Sequence, residues 1–210
     1  MTAKIDLRKE LKELYAPSST AIEVVTVPKF NFVSIDGYME PSERPTTSVA
    51  FQNAVAALTG VSSALRSMSR LRTRNPIEYA AMPLEALWWV DSGNFAFQAT
   101  TRWRWTLLVM QPKHVTEAMF ARALRDTREH AGTAAAARLR FAPFAEGTSI
   151  QTTHVGPYHE EPRTMARMQS FAAENGYRYR GKHHEIYLGD PRRAAPTKLR
   201  TVIRHPVSER

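Results

Sequence analysis

One plan, written twice, limits what this chain can fold into: strand, Gly-containing turn with a nearby Tyr, helix, strand, strand. In the first copy Ile22 to Ile35 reads as strand interrupted at Pro28, and Asp36-Gly37 as a turn. Tyr38 to Thr47, with its prolines, reads as a loop. A long helix is predicted over Ser48 to Arg70, where Phe51, Val55, Leu58, Val61, Leu65 and Met68 recur at three- and four-residue steps. Ile77 to Val90 is extended, a polar Gly-containing connection follows, and Trp103 to Met110 is the next strand. In the second copy Arg140 to His154 is extended, and Val155-Gly156-Pro157-Tyr158 is a turn. Pro162 to Asn175 is a helix with Met165, Met168 and Phe171 inward, stopped at Asn175-Gly176. The strand bearing Tyr187 comes next, then the Asp190-Pro191 turn, a helical turn over Pro196 to Arg200, and a last strand over Thr201 to Val207. Outside the repeat, Asp6 to Tyr15 reads as a short amphipathic helix capped by Asp6. Val115 to His130 reads as another helix, which the alanines Ala134 to Ala137 can extend.

Two anchors align the copies. Asp36-Gly37-Tyr38 corresponds to Gly156-Pro157-Tyr158. Leu84-Glu85-Ala86-Leu87-Trp88-Trp89 corresponds to His184-Glu185-Ile186-Tyr187-Leu188-Gly189, which makes Glu85 the counterpart of Glu185. An internal duplication of a small α+β unit sets two carboxylate-bearing strands about a pseudo-twofold axis, with a small-molecule site expected in the concavity between the halves.

Alternation along Lys182 to Leu188 puts His183, Glu185 and Tyr187 on one face and His184, Ile186 and Leu188 on the other, which is the more apolar and suits a core. A carboxylate inside a sheet must be solvated, paired or used. The plain alternative is a Glu on the wet face of a half-exposed sheet. Tyr79, Trp88, Trp89, Trp103, Trp105, Tyr158 and Tyr187 all fall on predicted strands or their turns. Trp89 shares a face with Glu85, and Trp103 with Trp105. Such rings either fill a core or line an aromatic cleft with a carboxylate floor, which suits planar, hydrophobic, often cationic ligands. Glu160-Glu161 precede the helix at Pro162, where they complement its N-terminus.

Composition removes several chemistries. With no cysteine there is no disulfide, thiolate metal site or cysteine nucleophile. His183 and Glu185 with His154 or His159 lack any His-Glu-x-x-His pattern, so no metal and no cofactor is expected. Neither a Gly-x-Ser-x-Gly elbow nor a phosphate-cradling glycine loop occurs. Net charge is +9, but the basic residues are scattered and match no DNA-reading motif, so no specific nucleic acid is expected as partner. No apolar run approaches the ~20 residues of a membrane helix. A soluble, cytoplasmic protein without membrane association is the expectation, its partner a hydrophobic aromatic small molecule.

At Asp6 to Tyr15, Met82 to Trp89, His154 to Tyr158, and Gly181 to Leu188 with Asp190-Pro191-Arg192-Arg193, the chain resembles the GyrI-like (gyrase-inhibitor-like) small-molecule-binding proteins, in particular stand-alone members. The resemblance covers almost the whole chain, and the last motif is its most specific. It implies an α+β fold: a tandem pseudo-twofold repeat of β-α-β-β units whose antiparallel sheet surrounds a central ligand cleft. A single domain over 1–210 is expected, with an N-terminal helix and linker (1–19), a first half (20–112), a connecting helix (113–138) and a second half (139–210). Stand-alone members are linked to hydrolysis of cyclopropane-bearing, DNA-alkylating natural products. Carried onto this chain, Glu185 positions or activates water, and Tyr187 and Tyr158 orient it or the substrate oxygen. Tyr79, Trp89, Trp103 and Trp105 wall the ligand, with Glu85 and His183 beside it. Binding without turnover, as a sensor or sequestering protein, is the alternative. The basic stretch Arg70 to Asn75 is a departure from the family pattern and bears on the cleft rim.

Overall fold

β5 (Leu84–Trp89) and β10 (His183–Tyr187), which the sequence pairs as counterparts, run antiparallel side by side at the middle of one sheet. The structure is a computed structural model describing residues 2–91, 102–131, 134–191 and 193–210. On one side of this junction lie β6 (Trp103–Gln111), β3 (Phe30–Met39) and β7 (Arg140–Phe144), in that order. On the other lie β11 (Arg200–Glu209), β8 (Gly147–Val155) and β2 (Glu23–Val27). β9 (Tyr177–Tyr179) pairs with β11 off this path. A separate parallel pair joins β1 (Ala3–Ile5) to β4 (Ile77–Tyr79). The result is an α+β fold in which β3-helix-β5-β6 and β8-helix-β10-β11 are related about the β5–β10 junction.

The two helices of the repeat cover the same side of the sheet. In α3 (Val49–Arg70) Phe51, Leu58, Val61 and Leu65 of the predicted stripe are buried, Val55 and Met68 partly so, and Ala54 joins them; Phe51 stacks on Trp88 of β5. In α5 (Glu161–Glu174), Met165 and Met168 enter a second small core with Ile150 and Ile203. Ile203 is the ladder partner of Glu185, and Ala86 is its partner on the other side. Paired residues project to one side of a sheet, so Glu185, Ala86 and Trp88 share the helix-covered front face. Glu85 pairs with Ile186 and projects to the back. A twofold axis that keeps both helices in front preserves faces, so Glu85 is not the counterpart of Glu185. That position falls one residue to either side, at Leu84 or Ala86. A single-residue slip in the alignment exchanges every side chain between faces.

Other expectations are corrected locally. Asp36-Gly37 does not turn; it lies inside β3, whereas Gly156 follows the end of β8 with φ 137°. The glycine at 37 answers to packing, because a Cβ there would stand 2.1 Å from the ring of Trp105. Asp6 caps a helix as expected, but the segment splits at Leu11 into α1 (Leu7–Glu10) and α2 (Lys12–Tyr15). Between β6 and β7 runs α4 (Glu117–Ala131), and the alanine run forms a separate 3-10 turn at Ala136–Arg138. The predicted connection after Val90 lies largely outside the described residues, as does Arg192.

Gly37→Ala forces a rigid, buried indole to move. It is expected to cost roughly 3 kcal/mol, the upper part of the range for overpacked cores, read as a lower midpoint in urea unfolding. An unchanged midpoint would contradict this packing.

Candidate functional site

α3 packs on β3 and β6, and α5 on β8, so the front faces of β5 and β10 lie between the two helices. Here Glu185, only 4% exposed, gathers its partners. His183 Nε2 lies 3.1 Å from Oε1, and Tyr187 donates its hydroxyl proton to Oε2 at 2.6 Å. Trp88, from the other half, donates its indole N–H to the Tyr187 oxygen at 3.3 Å. Tyr187 thus accepts from one half and donates to an acid of the other. Its ring meets Tyr158 edge-on at 5.9 Å, and Tyr158 is 37% exposed.

A second carboxyl group belongs to this cluster. Glu161, the first residue of α5, is fully buried and interacts with Glu185 and Thr201. Burial, then the charge on Glu185, raises its pKa well above the usual carboxylate range. Glu185 moves the other way. Burial opposes its charge, but hydrogen bonds with His183, Tyr187 and Glu161, together with the His183 charge, outweigh that and lower its pKa. The two carboxyls therefore share one proton, held on Glu161, with the negative charge on Glu185. Burial first, and then the acidic surroundings that include the Glu185 carboxylate and Asp190, push the Tyr158 hydroxyl up to about 12, so it remains a proton donor. A carboxylate able to accept a proton, a carboxylic acid able to give one and a half-exposed phenol stand together at the edge of an aromatic wall.

The structure brings together four of the residues expected from sequence: Glu185, Tyr187, Tyr158 and His183. Trp103 joins through Trp88, ring to ring at 6.0 Å. Trp105 is 1% exposed beneath Gly37 and edge-on to Phe51, a core residue rather than a wall. Tyr79 packs on His114 and donates to Gln111, which lies six residues along β6 from Trp105, roughly 20 Å at strand rise. Glu85 and Trp89 face the back, Trp89 beneath the ammonium of Lys182 at 3.3 Å. Glu161 and Trp88 belong to this cluster although the sequence reading does not single them out for it. The signal for Glu161 was present: Met165 and Met168 mark the buried stripe of α5, and one turn earlier that stripe runs through Thr164 to Glu161. Among the described residues, no group of three or more His, Asp or Glu is placed to hold a metal ion.

Behind β10 the surroundings differ. The back face is core as expected, with Ile186 fully buried and Leu188 packed against the main cluster, but a charged group is buried within it. His184 lies between two buried carboxylates, 2.9 Å from Glu146 and 3.0 Å from Glu85. Arg204 reaches Glu146 at 3.0 Å, Gln151 at 3.0 Å and the Leu14 carbonyl at 2.7 Å. Tyr15 donates to Glu85 at 2.7 Å. The N-terminal arm is thereby fastened to strands of both halves. Burial disfavours the His184 charge, but the two carboxylates raise its pKa to about 9. Glu146, despite burial, is lowered to about 2 by His184 and Arg204.

Because the folded-state pKa of His184 is raised, its stabilising contribution is complete below the unfolded value near 6.5 and is lost as pH rises through about 9. Unfolding free energies of wild type and His184→Gln between pH 6 and 10 are expected to converge toward the alkaline end, from a gap of about 3–5 kcal/mol. A constant gap would argue against a charged His184.

Comparisons with known proteins agree with this architecture. Residues 20–208 match the family model described as the GyrI-like small molecule binding domain. A structure of an uncharacterized conserved protein from Listeria innocua is 34% identical with a TM-score of 0.86, the match covering 97% of this chain and 100% of that one. Two further Listeria innocua structures, both described as hydrolases, are also 34% identical. Their TM-scores are 0.81 and 0.84, with 97% and 98% of this chain and 100% of each of theirs covered. A search of the curated proteins found no match. No helix among the described residues is long and apolar enough to cross a membrane. With nearly all of its sequence matched by the family model, and with these relatives matched over their whole lengths, the chain belongs to the GyrI-like small-molecule-binding family.

Proposed function

We propose that this protein is a hydrolase that admits a planar, hydrophobic electrophile between α3 and α5 and adds water across an activated cyclopropane ring. The observation that carries this reading is the buried Glu161–Glu185 pair, its two carboxyl pKa values pushed in opposite directions, beside Tyr158, Tyr187 and Trp88. The 34% identical relatives described as hydrolases support it. In a substrate whose cyclopropane is conjugated to a ketone, the water oxygen bonds to a ring carbon while Glu185 takes the water proton. The ring C–C bond breaks and its electron pair flows into the conjugated system. The former ketone oxygen, now a phenolate, takes the proton of Glu161. The product is substrate plus one water, and proton return from Glu185 to Glu161 resets the pair. Tyr158, as a retained donor, orients the substrate oxygen. Tyr187, fully engaged between Trp88 and Glu185, holds the base in place. Strain in the three-membered ring leaves modest work for the protein, and general-base help of about 10²–10⁴-fold suffices.

Incubation with a cyclopropane-bearing aromatic alkylator, followed by mass spectrometry, tests this. Many equivalents of water adduct per protein are expected; a stoichiometric complex with unchanged ligand would make the protein a sensor or sequestering binder. Glu185→Gln should lower the rate by about 10²–10⁴-fold with ligand affinity largely kept. The wild-type rate should fall as pH rises through the elevated Glu161 value, where the acid loses its proton. Glu161→Gln, which cannot ionise, should be slower and lack that alkaline limb in the pH–rate profile.

A further inference from the structure

The back-face network contains a feature that neither packing nor the proposed reaction uses. A cavity of about 10 Å³ opens among Tyr15, Glu85, Glu146, His184 and Arg204, with Val27 on its apolar side. That volume corresponds to about one water. Glu146 is 4% exposed, and its Oε2 takes both His184 and Arg204, while its Oε1 is buried and receives no hydrogen bond from protein. Glu85 Oε2 and His184 Nε2 meet at 3.0 Å as an ion pair whose alignment is not that of a hydrogen bond. Three buried polar atoms without a hydrogen bond thus belong to residues that line one small space, whose remaining lining is largely apolar, and a bound water ordinarily needs two to four such partners.

We infer that this cavity is a binding site for a single internal water molecule, held by Glu146 Oε1 and the Glu85–His184 pair. Electrostatics select the ligand. Glu85 and Glu146 each carry a negative charge, and His184 and Arg204 each a positive one, so the quartet is neutral and offers no net attraction to a cation or an anion. A neutral molecule that both donates and accepts fits, and the volume admits nothing larger than water. Its O–H groups donate to carboxylate oxygen, and its lone pairs accept from the imidazolium N–H. The water bridges Glu146 to the Glu85–His184 pair, and it relieves the desolvated Glu146 oxygen of a burial that is otherwise unfavourable.

Crystallography of the full chain at atomic resolution tests the site directly. Ordered density within hydrogen-bond reach of Glu146 Oε1 is expected, and featureless space there would overturn the assignment. Val27→Ile adds one methyl group to the lining and serves as the second test. Oxygen-17 relaxation dispersion should count one fewer long-lived water in that variant than in wild type. An identical count with the methyl group in place would equally refute the site. Neither measurement depends on turnover, so failure here and failure of the proposed hydrolysis are separable.

Discussion

Charge buried on a strand has to be matched side chain by side chain, and β10 carries that requirement on both of its faces. His183, Glu185 and Tyr187 point forward; His184 points back. Behind, each carboxylate meets a cation and the set closes as a neutral quartet. In front, two carboxyls stand together and divide one proton between them. The same residue types, one position apart in the chain, thus give a saturated structural cluster on one face and a chemically poised one on the other. Burial raises the cost of charge in both places; the identity of the neighbours decides which cluster is fully neutralised.

Much of this was legible in the residues, and the failures have physical causes. The long helix over Val49–Arg70, the strand at Trp103–Gln111 and the helix ending before Gly176 follow from apolar spacing and stop signals. Glu185, Tyr187 and His183 share a face because alternation on a strand has few exceptions. Gly37 misled because a glycine after aspartate signals a turn, whereas this one makes room for Trp105, a contact between strands that no local pattern encodes. Trp89 shares the face of Glu85 and Trp88 that of Ala86, so a one-residue slip in register displaces both the acid and the ring. Glu161 was hidden by a second reason for an acid at a helix start. Its true surroundings depend on where α5 docks, which only tertiary structure supplies.

The family fold describes a repeat, yet the halves contribute different things to the site. The first brings rings: Trp88, backed by Phe51 and edged by Trp103. The second brings acids and phenols: Glu161, Glu185, Tyr158 and Tyr187. The hydrogen bond from Trp88 to Tyr187 is the place where the two contributions join, and through Tyr187 it makes the position of the Glu185 carboxylate depend on how the halves meet.

The junction between β5 and β10 also says something about how such a protein can be rebuilt. Because face is preserved about the junction, a molecule assembled from two copies of the acidic half would crowd like charges onto one side of adjoining strands and lose its indole wall. One assembled from two copies of the ring-bearing half would have a wall and no buried carboxyl pair. Divergence of the duplicated units is thus a condition of the site's existence, and recombining halves among relatives has to keep one of each kind.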